Sequence, residues 1–151
     1  MSQTTIKQIY WIEDHLELFQ RTLKKFKAAS GSVKQFKTAS ALLNSLFQIK
    51  DSFGSIIVDL WVPPGEGADL PRNVRGPQIG MWLLEQISAE LGKGWPIFIL
   101  SGNLTVDVTV TLGRDYDIPE SRVYAKPLVD KADEFVRSVL DAATNELSTV
   151  E

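Results

Sequence analysis

Ser55-Ile56-Ile57-Val58-Asp59-Leu60 is the stretch that decides the fold of this chain. Three β-branched residues in succession read as a strand buried on both faces, of the kind found in the middle of a parallel sheet. An ionised carboxylate within such a run is costly to bury unless a cation or hydrogen bonds meet it. Asp59 is therefore either a strand-end residue capping a turn or part of a polar site at the carboxyl edge of a sheet.

On either side of this run, strands alternate with helical spacing. Ile9 to Ile12 reads as a first strand, Val33 to Phe36 as a short second, Pro96 to Leu100 as a fourth and Arg122 to Ala125 as a fifth. Leu16, Phe19, Leu23 and Phe26 recur at helical spacing after the first strand, and Leu42, Leu43, Leu46 and Phe47 form the apolar stripe of a second helix. Ile79, Leu83 and Ile87 mark a third helix, and Phe135, Val136, Val139 and Leu140 the last. Such alternation predicts an α/β domain whose parallel sheet is covered on both faces. Trp11, Trp82 and Trp95 are expected in the core or at its edge. Residues after about Asn145 read as a frayed end.

Two stretches break the rhythm. Residues 62–78 hold Pro63, Pro64, Pro71 and Pro77 with Gly65, Gly67 and Gly76, which predicts a long irregular loop. Leu104 to Leu112, LTVDVTVTL, alternates apolar and polar residues strictly, a strand period and not a helical one.

The 151 residues fit one compact domain, and 44% hydrophobic with 23% charged residues is ordinary globular usage. A formal net charge of −3 gives no general attraction for phosphate backbones, so direct nucleic-acid binding is not expected. The absence of cysteine excludes disulfides, thiolate metal sites and cysteine nucleophiles. No apolar run approaches the ~20 residues that span a bilayer and the amino terminus has no signal-peptide pattern, so the expectation is a cytoplasmic protein.

Ligands in open α/β sheets bind at the carboxyl ends of the strands, which makes the polar residues there informative. Strand one ends in Glu13-Asp14, strand three carries Asp59, strand four ends in Ser101 and strand five in Lys126-Pro127. Each has a plain alternative: Asp14 with Glu17 can form a capping box, Ser101 can cap a helix, and Lys126 can be a solvated strand end. Together they make a more specific set. Two carboxylates ~4 Å apart repel by roughly 4 kcal/mol at an effective dielectric near 20, so a three-carboxylate cluster implies a cation. All-oxygen ligands point to Mg²⁺. A hydroxyl and an ammonium are the donors that a transferring phosphoryl group needs, and an aspartate carboxylate can accept it.

This order of residues on successive strands resembles the receiver domains of bacterial response regulators, the CheY-like superfamily of two-component signalling. The resemblance runs from IYWIEDH through IIVDL and FILSG to VYAKP. It implies a three-layer, doubly wound, flavodoxin-like sheet in the order 2-1-3-4-5. It also implies Mg²⁺ at Glu13, Asp14 and Asp59, phosphorylation of Asp59, and contacts from Ser101 and Lys126 to the phosphoryl group. Tyr124 is implied as the switch aromatic, acting with Ser101. GMWLLEQI resembles the family's third helix, with Gly80 at its usual glycine. The implied protein is a phosphoacceptor and not an enzyme with its own substrate. Its partners would be a sensor histidine kinase or phosphotransfer protein and a downstream protein target. One receiver domain over residues 1–151, with a core of about 7–145 and no output domain, is the expected organisation.

Three features depart from that family. The loop after Asp59 is about a dozen residues longer than usual, residues 104–112 have the wrong period for the helix expected there, and Asp117-Ile118-Pro119-Glu120 replaces the usual Gly-Ala before strand five. Trp61 and Asn103 stand two residues past Asp59 and Ser101, positions that the resemblance links to dephosphorylation rate. The loop from Val62 to Gln78 is expected to act as a lid or partner-binding segment, with Arg72 and Arg75 able to reach a phosphoryl group; a plain surface loop is the alternative. His15, the only histidine, reads as incidental. Two other readings compete: a pseudo-receiver that binds partners without phosphorylation, and a haloacid-dehalogenase-type phosphatase. The latter needs an acid two residues past Asp59, where this chain has Trp61.

Overall fold

The computed structural model describes residues 6–67, 74 and 76–144. Five parallel strands stand in the order β2-β1-β3-β4-β5: β1 Lys7–Ile12, β2 Gly31–Phe36, β3 Gly54–Val58, β4 Ile97–Ser101 and β5 Val123–Ala125. This is the α/β order expected from the resemblance. Every residue of β3 and β4 is buried, as the unbroken apolar runs predict for central strands. Along β1 the side chains alternate between faces, Tyr10 and Ile12 entering one core and Ile9 and Trp11 the other.

Helices cover both faces. On one lie α1 (Gln20–Ala28) and α6 (Ala132–Thr144), packed on Trp11, Ile57, Phe98 and Leu100. The buried Ser55 hydroxyl on β3 donates to the Val139 carbonyl at 2.7 Å, fixing α6 on the sheet. Phe135, Val136, Val139 and Leu140 are all buried there, as their spacing predicts. The other face carries α2 (Ala39–Leu43), α3 (Leu46–Lys50), α4 (Pro77–Leu91) and α5 (Val106–Tyr116). Trp11 and Trp95 are buried and Trp82 packs against the core.

The structure corrects two sequence expectations. The stripe Leu42, Leu43, Leu46 and Phe47 does not lie on one helix: the chain breaks between α2 and α3, and Phe47 is 76% exposed. Residues 104–112 contribute to a regular helix and not to a strand-like or atypical segment. Thr105 caps α5 by accepting the Val108 N–H at 3.1 Å. Positions two apart in a helix point to nearly opposite sides, so the alternating apolar residues split into two stripes. Val108 and Leu112 pack on the core, whereas Val106 and Val110 are 79% and 54% exposed. Asp117 ends the helix in the left-handed conformation at φ 56°, and the Ile118 N–H returns to the Leu112 carbonyl at 3.0 Å.

The described part of the loop after β3 is anchored. Val62 is buried, and the carbonyls of Pro63 and Pro64 accept the N–H groups of Ala39 and Ser40 at 2.9 Å each, satisfying donors at the start of α2. Arg72, Arg75 and the segment beyond Asn145 lie outside the described residues.

Candidate phosphoryl-acceptor site

Strand register builds the site. Ile12 pairs with Val58 and Val58 with Ile99, so the residues that follow, Glu13 and Asp59, stand side by side at the carboxyl edge. Ser101 pairs with Ala125, which brings Lys126 to the same edge. Backbone hydrogen bonds continue past the strand ends: Asp59 N–H to Ile12 at 3.3 Å, Glu13 N–H to Phe36 at 2.9 Å, and Lys126 N–H to Ser101 at 3.0 Å. The Gln35 side-chain amide also donates to the Glu13 carbonyl at 2.8 Å.

At the centre is the Asp59 carboxylate, only 4% exposed. Its Oδ1 accepts the Ser101 hydroxyl at 2.8 Å and the Trp61 backbone N–H at 3.0 Å, while Oδ2 accepts Lys126 Nζ at 2.8 Å. Lys126 Nζ also lies 2.5 Å from Glu13 Oε1. The ammonium thus bridges two buried carboxylates. Burial weakens its charged form, but the hydrogen bonds and charges of Asp59 and Glu13 more than offset this and hold its pKa above the usual lysine value. Burial pushes the Glu13 carboxyl up, with Lys126 and the His15 N–H opposing the shift.

Asp14 completes the cluster. A carboxylate oxygen from each of Glu13, Asp14 and Asp59 lies within 4.8 Å of the others. Asp14 is not a helix cap, because the 3₁₀ turn Leu16–Phe19 that follows has His15 at its cap position and no side-chain cap bond. His15 sits between carboxylates, Nε2 at 3.3 Å from Asp14 and Nδ1 at 3.5 Å from Glu17. Ser101 is likewise no helix cap: its hydroxyl accepts the Leu60 N–H at 3.2 Å while donating to Asp59.

Three carboxylates and one ammonium leave an excess of two negative charges if all are ionised. The donors are all oxygen and lie close together, a set that fits a hard divalent cation such as Mg²⁺. Glu13, Asp14 and Asp59 are the residues that would hold it.

Tyr124 is buried behind the edge, its ring 4.9 Å from Phe135 and its hydroxyl donating to Glu134 Oε2 at 3.1 Å. Asn103 is exposed with a left-handed backbone at φ 51°. Trp61 is half-exposed, and a Cβ added to Gly76 would lie 3.1 Å from its ring. A Cβ on Gly80 would come within 2.3 Å of Leu60 Cα, so α4 approaches the backbone just past Asp59 as only glycine permits. The sequence reading missed the backbone donor of Trp61, the Gln35 amide and the position of Phe19. Phe19 packs against the core as its helical spacing predicts, and its ring centre also lies 5.6 Å from Lys126 Nζ. No periodicity distinguishes these contacts from ordinary packing.

Compared by sequence, the chain matches no family model and no curated protein. Its structure has close counterparts. The non-phosphorylated HemR receiver domain of Leptospira biflexa superposes with a TM-score of 0.68 at 18% identity, over 96% of this chain and 98% of that one. A response regulator receiver domain protein of Clostridium thermocellum gives 0.68 at 17% identity, over 91% and 94%. A response regulator of Burkholderia pseudomallei, solved with a phosphorylated aspartic acid, a calcium ion and citrate, gives 0.63 at 18% identity, over 91% of this chain and 69% of that one. Together with the strand order, these likenesses show that the chain has the fold of response-regulator receiver domains.

Proposed function

We propose that the protein is a response-regulator receiver that accepts a phosphoryl group on Asp59 from a histidine kinase or a phosphotransfer protein. The observation that carries this reading is the surroundings of one buried carboxylate. Asp59 is met by an ammonium, a hydroxyl and a backbone N–H, with two further carboxylates alongside. A purely structural aspartate does not require that pair of acids next to it.

In this reading an Asp59 oxygen forms a bond to phosphorus as the bond from phosphorus to the donor imidazole nitrogen breaks, and the imidazole leaves with the electron pair. Lys126 and Ser101 already donate to Asp59, so both can follow charge onto the phosphoryl oxygens without new side chains being recruited. Glu13, Asp14 and Asp59 are the residues that would hold Mg²⁺, which would supply charge neutralisation for the phosphoryl oxygens. The Burkholderia response regulator, which shares this fold and was solved with a phosphorylated aspartic acid and a calcium ion, supports the reading. Once Ser101 turns towards the phosphoryl group, its bonds to Asp59 Oδ1 and to the Leu60 N–H change. Repacking there, together with rotation of Tyr124, would alter the surface that a target protein reads. Among the described residues no helix is long and apolar enough to cross a membrane.

Incubation with phosphoramidate and Mg²⁺, followed by intact mass, tests the proposal. One labile phosphoryl adduct is expected on the wild type and none on Asp59→Asn. An equal adduct on Asp59→Asn would remove Asp59 as acceptor. An unmodified wild type would favour a partner-binding module, and continuous turnover of the donor a phosphatase.

A further inference from the structure

Phe19 stands where the 3₁₀ turn Leu16–Phe19 gives way to α1, with φ −114° and ψ 36°, outside helical geometry. Leu16 and Phe26 of the same apolar stripe are buried, but Phe19 is only partly so. Its ring is backed by the core: the Trp11 ring lies 5.3 Å away, and Trp11 in turn lies 6.2 Å from Phe135. Lys126 Nζ lies over the Phe19 ring at 5.6 Å from its centre, while holding Glu13 and Asp59. A cation within about 6 Å of a ring centre is attracted by the ring quadrupole, and more strongly as water is removed.

We propose that Phe19 is a positioning residue for Lys126, its ring closing over the ammonium that bridges Glu13 and Asp59. The inference rests on Asp59 being the phosphoacceptor. A hydrogen bond aims the ammonium at one oxygen, whereas a ring face attracts it over an area. Lys126 can therefore move from the Asp59 carboxylate to a phosphoryl oxygen without losing Phe19. Water kept from that side also strengthens each contact the ammonium makes with the carboxylates. Trp11, itself packed on Phe135, supports the Phe19 ring from the core side.

The test separates the ring's electronics from its bulk. In the full-length protein, Phe19 is replaced by pentafluorophenylalanine, which keeps the shape and reverses the quadrupole, and in parallel by Trp and Leu. The rate of Asp59 loading by phosphoramidate at saturating Mg²⁺ is read by intact mass, and the Lys126 Hε ring-current shift by NMR. The fluorinated protein and Phe19→Leu are expected to load about five-fold more slowly, and Phe19→Trp to stay at the wild-type rate or above it. The upfield Hε shift should be lost in Phe19→Leu. Should Phe19→Leu fold poorly, the fluorinated protein carries the test alone. Loading of the fluorinated protein at the wild-type rate, beside a wild type that loads normally, overturns the role of Phe19 and leaves the receiver reading standing. A wild type that takes up no phosphoryl group overturns both.

Discussion

The Ser101 hydroxyl donates to Asp59 Oδ1 at 2.8 Å and accepts the Leu60 N–H at 3.2 Å, so one oxygen ties the carboxylate to the backbone that follows it. Ser101 is fully buried, and no solvent is at hand to replace that oxygen. Ser101→Ala leaves the Leu60 N–H unpaired and removes one of the Asp59 donors. The expected loss is about 1–3 kcal/mol of unfolding free energy, together with slower loading of Asp59. Urea unfolding followed by tryptophan fluorescence checks the first part, and an unchanged midpoint would show that the hydroxyl is not needed to satisfy that amide.

Burial raises the Glu13 pKa even though Lys126 lies against it. The folded state then retains the Glu13 proton to a higher pH than the unfolded state does. Its contribution to stability is full below the usual carboxylate range and is lost as pH rises through the raised value. Glu13→Gln cannot ionise and escapes that loss. At neutral pH and without divalent cations the variant should unfold at higher urea than the wild type, and the gap should close on acidification into the carboxylate range. A gap that stays constant with pH would contradict the assignment of the effect to Glu13 ionisation.

Lys126 neutralises part of the cluster that the proposal assigns to Mg²⁺. Removing the ammonium with Lys126→Ala leaves Glu13 and Asp59 buried without their shared partner, which should lower stability in metal-free buffer. Mg²⁺ should then raise the melting temperature of Lys126→Ala by more than it raises that of the wild type, since binding to the folded state alone stabilises by mass action. Thermal scans with and without MgCl₂ decide this, and equal shifts in the two proteins would separate Lys126 from the cation site.

Much of the fold was legible because the central strands carry uninterrupted apolar runs. SIIV and the strand Ile97–Ser101 have no other reading in a chain with helical spacing between them. The site was legible because each of its members stands at or just past the carboxyl end of a strand, and parallel register converts that shared position in sequence into one edge in space. Gly80 was legible as a glycine but not for its reason, the 2.3 Å approach to Leu60. Period alone misread residues 104–112, because a helix with apolar residues on two opposite sides gives the alternation of a strand. The local signal that outweighed it was Thr105, whose hydroxyl starts α5. Phe47 was misread for a related reason: the break between α2 and α3 changes the helical phase, which no count of spacing across the break can show.

That corrected helix supplies the last prediction. Asp117 ends α5 at φ 56° and ψ 36°, and the Ile118 N–H returns to the Leu112 carbonyl, with Ile118 buried beneath it. The left-handed conformation costs roughly 1–2 kcal/mol for most L-residues and less for Asp, while glycine adopts it freely. A carboxylate at this end also faces the negative pole of the helix dipole, an interaction of about 0.3–1 kcal/mol at low salt. Asp117→Gly removes both terms, against the added entropy of a glycine in the unfolded chain, and should stabilise the protein by about 1 kcal/mol. Asp117→Asn removes the charge but keeps a side chain in the left-handed region, so it should recover only the electrostatic part. In 1 M NaCl, where charges are screened within about 3 Å, the gain from Asn should fade while much of the gain from Gly persists. Urea denaturation of the three proteins at low and high salt measures this directly. Loss of stability in Asp117→Gly would mean that the Asp117 side chain contributes to the end of α5 something that the backbone conformation and the helix dipole do not explain.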